Sequence, residues 1–250
     1  MTSNLIGNGL DQYFDAIRSL QAQAIETQRD RLIRIAAVMV ETIVRDKRIL
    51  VFGTGHSHML AEEGHFRAGG LAPVVPIFLS ALMVHESAIV SGQLERTGGI
   101  ARLLIDRYQP RSGEMLFIFS NSGVNLLPVE MALAAKERGV IVVSICSLKY
   151  ARIAPLSILG QRLPDVSDYS IDNGGEPGDS LIAIDGSPWR VGPGSTVIGA
   201  LLWNSLITEV AFQLQTLSVD VPVYASANMP GASAHNAALL QKWQALNPHI

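Results

Sequence analysis

The chain has 250 residues, of which 48% are hydrophobic and only 16% charged, with a formal net charge of −3. That length carries one sizeable core, and the absence of a basic block gives nucleic-acid binding no support. The scarcity of charge and the mean hydropathy of +0.27 leave apolar surface to be covered, as in an oligomer.

The first ~47 residues read as helices, since Leu32, Ile35, Ala36, Met39, Val40 and Ile43 recur at three- and four-residue spacing. Arg48–Phe52 is a short apolar run closed by Gly53, the pattern of a buried parallel strand. Ala72–Leu79, Met115–Phe119 and Gly139–Ile145 repeat that pattern, and Leu126–Arg138 between the last two has helical spacing. Strands alternating with helices imply βαβ units and a parallel sheet. Residues 160–195 are rich in glycine and proline and read as a loop-and-hairpin segment with room for an edge strand. Ser195–Leu214 predicts a long helix capped by Ser195 or Thr196. Asp220–Tyr224 is extended, and a last helix opens at Ser233 or Asn236. No linker divides the chain, so one domain is expected: helices over 1–47, an α/β core over 48–214, and a tail and helix over 215–250.

The lone cysteine, Cys146, suits a reducing compartment and reads as a small buried hydrophobe rather than a nucleophile. Met1–Leu10 lacks the pattern of a secretory signal. The most apolar stretch, Val197–Leu214, is interrupted by Asn204, Ser205, Thr208 and Glu209 and falls short of a membrane span. A cytoplasmic protein without membrane or nucleic-acid partners is expected.

Two loops carry chemistry. Gly53-Thr54-Gly55-His56-Ser57 follows a strand and opens a helix, so its glycines permit close backbone approach to an anion. The third glycine of a dinucleotide fingerprint is missing, which argues against a dinucleotide. Ser120-Asn121-Ser122-Gly123-Val124-Asn125 also sits between a strand and a helix. It is either an ordinary polar turn capped by Ser122 or Asn125, or a phosphate cradle built without lysine. Two such loops at strand C-termini favour the cradle.

These paired loops resemble those of SIS (sugar isomerase) domains, whose members carry Gly-x-Gly-x-Ser and Ser-x-Ser-Gly-x-Thr. Gly194-Ser195-Thr196 resembles the family's later Ser/Thr turn, and the layout is most similar to phosphoheptose isomerases and an uncharacterised branch. The resemblance implies a flavodoxin-like α/β sandwich with a five-stranded parallel sheet, assembled as a homodimer or homotetramer. It implies that Ser57, Ser120, Ser122 and Asn125 hold a phosphate, with Gly55 and Asn121 beside them and Ser195 and Thr196 facing the sugar. Asn125 stands where the family has Thr. No cofactor is expected.

Moving a carbonyl along a sugar, or eliminating a group beside one, needs a carboxylate or imidazole at the reacting carbons. The candidates are Glu63, Glu86, His235 and His56. His58, Glu62 and His65 have i, i+4, i+7 spacing on one helix face, and some phosphoheptose isomerases hold zinc from such a helix; a polar interface is the alternative. The family's catalytic Glu position falls on Arg67 in ungapped register, which argues against carrying the metal over. The expected activity is aldose–ketose isomerisation or a related proton-abstraction reaction on a sugar phosphate or amino-sugar phosphate. The alternative is a non-catalytic phosphosugar-binding regulator.

Overall fold

The computed structural model describes residues 8–250. The elements follow in chain order: α1 (Asn8–Val44), β1 (Ile49–Gly53), a 3-10 turn over Gly55–Ser57, α2 (His58–Glu63), β2 (Val74–Pro76), α3 (Val84–Leu94), α4 (Ile100–Tyr108), β3 (Met115–Phe119), α5 (Leu126–Lys136) and β4 (Ile141–Cys146). After these come α6 (Leu148–Ile153), α7 (Leu163–Val166), β5 (Tyr169–Asp172), β6 (Ser180–Ala183), β7 (Arg190–Pro193), α8 (Ser195–Thr216) and α9 (Ala232–Trp243).

Five strands form one parallel sheet in the order β2-β1-β3-β4-β5, and β6 and β7 pair as a separate antiparallel hairpin. This is the flavodoxin-like architecture. Every residue of β1 and β3 is buried, which is why they read as uninterrupted apolar runs. One face of the sheet packs on α1, α2 and α8 through Ile35, Met39, Leu60, Trp203 and Leu206. The other packs on α4 and α5 through Leu104, Ile105, Leu127 and Met131. The helices that follow β1 and β3 therefore leave on opposite faces. Adjacent strands that diverge in this way open a crevice at their carboxyl ends, the position where open α/β sheets bind ligands.

Several expectations are corrected. The N-terminal region is one 37-residue helix rather than several. Only Val74–Pro76 of the 72–79 run forms the strand beside β1, and the ladder ends with Ile77 N–H donating to Val51 O at 2.8 Å. Neither Ser195 nor Thr196 caps α8. Asp179 does so from the preceding turn, its carboxylate accepting from the backbone N–H of Ser195 (2.8 Å) and Gly194 (3.2 Å) and from the Ser195 hydroxyl (2.6 Å). Neither Ser233 nor Asn236 caps α9, which starts after Gly231 in the left-handed region (φ 80°); the Asn236 amide instead pairs with both backbone groups of Ala225. By length and composition α8 passes as a bilayer-crossing helix, but Trp203, Leu206, Val210 and Leu214 bury it as the central helix of one layer.

The C-terminal segment clasps the β2 edge. His249 Nε2 lies 2.7 Å from the Tyr108 hydroxyl, and the His249 ring packs on His65 and Phe78. Burial holds both imidazoles below their usual 6.5; the charge of His249 adds to the shift of His65, and that of Arg107 to the shift of His249, which a backbone hydrogen bond at Pro76 partly opposes. The fold thus binds fewer protons here than the unfolded chain does. The stability this confers is present above pH ~6.5 and is lost as pH falls through that value. The melting temperature is expected to drop between about pH 7.5 and about pH 5.5, and less steeply in His65→Phe. An unchanged slope in that variant would remove His65 from the account.

Candidate functional site

The turn after β1 is built on contact too close for a side chain. A Cβ on Gly53 would lie 2.4 Å from the Ser57 carbonyl oxygen, and Gly55 sits at φ +57°. Ser57 N–H closes the turn onto Thr54 O at 3.0 Å, which brings the Ser57 side chain back over the end of the sheet. Gly53→Ala should destabilise the chain by about 1–3 kcal/mol, the range for inserting atoms into a packed site. In calorimetric titration it should also bind inorganic phosphate less tightly; wild-type affinity in this variant would contradict the geometry.

The turn after β3 is fixed by backbone bonds, Ser120 N–H to Ile145 O (3.1 Å) and Gly123 N–H to Ser120 O (3.0 Å). Gly123 lies at φ +61°, against Ala151 and Cys146. Asn121 is held from β5's end, its Oδ1 accepting from Asn173 Nδ2 at 2.9 Å. Asn125 occupies the N-cap position of α5 yet makes no side-chain capping bond, so its amide is not committed to its own helix. Cys146 below the turn is fully buried, its thiol pushed up to about 12 by burial and by nearby Asp172 and Asp165. It is a packing residue and no nucleophile.

The two turns meet. Gly55, His56, Ser57, Ser120, Asn121, Ser122, Asn125 and Ser195 all line one cleft of about 420 Å³ between α3 and the carboxyl ends of β1 and β3, within the usual size of a small-molecule site. Thr196 lies beneath it, beside a void of about 10 Å³ that Ser57, Ser120 and Ser195 also line. No lysine or arginine lines the cleft. An anion there would rest on hydroxyls, amides and the N-terminal end of α5, an eleven-residue helix with a positive dipole end.

Three of the four acid–base candidates lie elsewhere. Glu63 faces α8, where Oε1 accepts from Asn204 Nδ2 at 2.8 Å and also from Arg67. Glu86 is exposed just ahead of a break in α3 at Ser87 and does not line the cleft, which Ala88, Ser91 and Glu95 meet from beyond the break. His235 Nε2 lies 2.7 Å from Val223 O and lines a separate hollow with Asp46 and Lys242, beside the amino end of β1. Only His56 reaches the cleft, on its exposed rim. The His58–Glu62–His65 face does not form. α2 ends at Glu63, so His65 turns into the aromatic cluster of Phe78 and His249, while His58 Nε2 keeps Glu62 at 3.5 Å. Among the described residues no three His, Cys, Asp or Glu are grouped to hold a metal ion.

The sequence reasoning missed Glu95, which lines the cleft with its side chain 15% exposed. Thr54 Oγ1 donates to Oε2 at 2.9 Å and Arg96 NH1 to Oε1 at 2.6 Å, while Leu127 N–H of α5 donates to the Glu95 carbonyl at 3.0 Å. The Glu95 carboxylate is thereby tied to the turn after β1, and the Glu95 backbone to the first turn of α5. Asp179, the other carboxylate of the cleft, is committed to α8. The one signal for Glu95 in the sequence is its helical spacing from Val84, Ala88 and Ser91.

An α/β sheet of this order, with serine-bearing turns converging at its switch point, is the architecture of SIS domains. The SIS domain profile matches residues 12–147, and the chain belongs to that family. It is 40% identical over 245 residues to a UPF0309 protein of Brucella canis, covering 96% of this chain and 98% of that protein. A UPF0309 protein of Brucella anthropi is 37% identical over 240 residues, with the same coverage. Among solved structures, a phosphoheptose isomerase from Francisella tularensis superposes with TM-score 0.54 at 11% identity, covering 81% of this chain and 96% of that one. A phosphoheptose isomerase from Neisseria gonorrhoeae gives 0.51 at 17%, covering 84% and 99%. The sugar isomerase domain of an RpiR transcription factor from Sphaerobacter thermophilus gives 0.52 at 14%, covering 96% and 99%. At these identities the structures share the fold.

Proposed function

We propose that the chain is an enzyme that binds a sugar phosphate in this cleft and removes a proton beside its carbonyl, in isomerisation or a related reaction. The observation that carries this is the meeting of Ser57, Ser120 and Ser122 with a partly buried carboxylate in one hollow. In this reading the serine hydroxyls, the Asn125 amide and the α5 N-terminus hold the phosphate. Their binding energy fixes the distal carbons against Glu95. Glu95, oriented by Thr54 and Arg96, takes the proton at C2, and His56 on the rim exchanges a proton with the carbonyl or ring oxygen. Ser195 faces the sugar from the cleft wall, with Thr196 supporting it from beneath. Glu63, Glu86 and His235 have no part in the reaction within one chain.

Self-association belongs to the same proposal. Val197 and Phe212 stand 40% and 64% exposed on α8, and a second copy covering that helix would account for the apolar surface.

The test is a panel of glucose 6-phosphate, fructose 6-phosphate and N-acetylglucosamine 6-phosphate, with binding read by thermal shift and exchange in D2O of the proton beside the carbonyl (C2–H of the aldoses, C1–H of fructose 6-phosphate) read by NMR. At least one compound is expected to stabilise the protein and exchange, and the stabilisation to vanish in Ser57→Ala/Ser122→Ala. Stabilisation without exchange for the whole panel would instead support a regulator that only binds.

A further inference from the structure

A second hollow of about 300 Å³ adjoins the cleft, and Asn125 lines both. Its walls differ in chemistry from a sugar site. Val124, Leu126, Leu156 and Ile158 make it largely apolar, which does not match the hydroxyls of an unmodified sugar. Its polar groups are few. Ser157 Oγ is buried with no hydrogen-bond partner, Asn125 makes no bond with its own helix, and Arg96 is the lone charged residue of the lining. These groups offer donors, and no carboxylate is there to accept. The matching occupant has a short apolar carbon chain and one carbonyl oxygen, and a covalent link to a sugar in the cleft.

We infer that this hollow is an acyl subsite and that the substrate is an N-acylated amino-sugar phosphate. The inference rests on the phosphosugar reading above and narrows it. The acyl methyl packs on Leu156 and Ile158, and its carbonyl oxygen accepts from Ser157, giving the buried hydroxyl the partner it lacks. Nitrogen at C2 also leaves no C2 hydroxyl to become a ketone, so the proton that Glu95 removes returns to C2. Exchange or inversion at C2 is then the reaction to seek, rather than transfer of the carbonyl from C1 to C2.

Calorimetric titration of the full chain with inorganic phosphate, glucose 6-phosphate, glucosamine 6-phosphate and N-acetylglucosamine 6-phosphate tests the subsite. The N-acetyl compound is expected to bind at least about tenfold more tightly than the other two sugars. Leu156→Asn and Ile158→Asn, which add polarity without charge, should remove that preference while leaving the affinity for inorganic phosphate unchanged. Leu156 and Ile158 are 40% and 92% exposed, so the variants should fold. Equal affinity for all three sugars, or a preference that survives both variants, overturns the acyl subsite and leaves the phosphate site standing. No binding of phosphate or of any sugar phosphate overturns both.

Discussion

Glu95→Gln is expected to lower C2–H exchange by about 10²- to 10⁴-fold, the usual worth of a positioned general base, while phosphosugar binding changes little. The separation follows from geometry. Gln keeps the size of Glu95 and an oxygen able to accept from Thr54 Oγ1, as the carboxylate does at 2.9 Å, but it has no lone pair basic enough to take a carbon-bound proton. The pair with Arg96 is partly solvated, since Arg96 is 62% exposed, and an ion pair in that setting contributes little to stability. The variant should therefore melt close to the wild type. The serine turns are untouched, so thermal stabilisation by N-acetylglucosamine 6-phosphate or fructose 6-phosphate should persist. Exchange at the wild-type rate in Glu95→Gln would take the base away from this residue, and loss of both binding and exchange would make Glu95 a ligand-holding group.

Glu114→Gln is expected to destabilise the fold by about 3–5 kcal/mol in chemical denaturation. Arg48 and Glu114 flank the amino ends of β1 and β3 with side chains 8% and 4% exposed. Arg48 Nε and NH2 donate to the two carboxylate oxygens at 2.6 and 2.7 Å, a bidentate fork. The remaining valences are used as well. Arg48 NH1 and NH2 donate to the carbonyls of Tyr108 (3.1 Å) and Gln109 (2.9 Å), and Arg111 N–H donates to Glu114 Oε2 at 2.7 Å. Removing the negative partner leaves a guanidinium buried without its counter-charge, which is far costlier than losing both charges together. The paired change Arg48→Met with Glu114→Leu should recover most of the loss. A double variant as unstable as Glu114→Gln would mean that the backbone bonds, and not the charge pairing, hold this corner.

The fold was legible where burial leaves a one-dimensional trace. β1, β3 and β4 are covered on both faces, so their sequences are apolar runs that end at Gly53, Ser120 and Ser147. The functional turns were legible for a related reason: glycine and hydroxyl residues directly after such runs are placed by the sheet itself. β5 was less so, because Tyr169 and Ser170 are half-buried at an edge and bracketed by polar residues. The acid–base groups were the least legible. Glu63 is close to Ser57 in sequence, but α2 rotates it toward Asn204; Glu95 is distant in sequence, and α3 returns it to Thr54. Proximity along the chain favoured a carboxylate that faces away from the cleft, because a helix sends neighbours one position apart in directions about 100° apart. The helix caps misled similarly. A serine at the start of α8 has the composition of a cap, whereas Asp179, sixteen residues earlier, supplies the acceptor.

The central claim is that the turns after β1 and β3 together hold one phosphate. A crystal structure of the protein with fructose 6-phosphate or N-acetylglucosamine 6-phosphate measures this directly. The phosphate oxygens are expected within about 2.5–3.2 Å of the Ser57, Ser120 and Ser122 hydroxyls, with the sugar extending toward Glu95. A phosphate bound to only one of the two turns, or lying outside the cleft they share, would contradict the account.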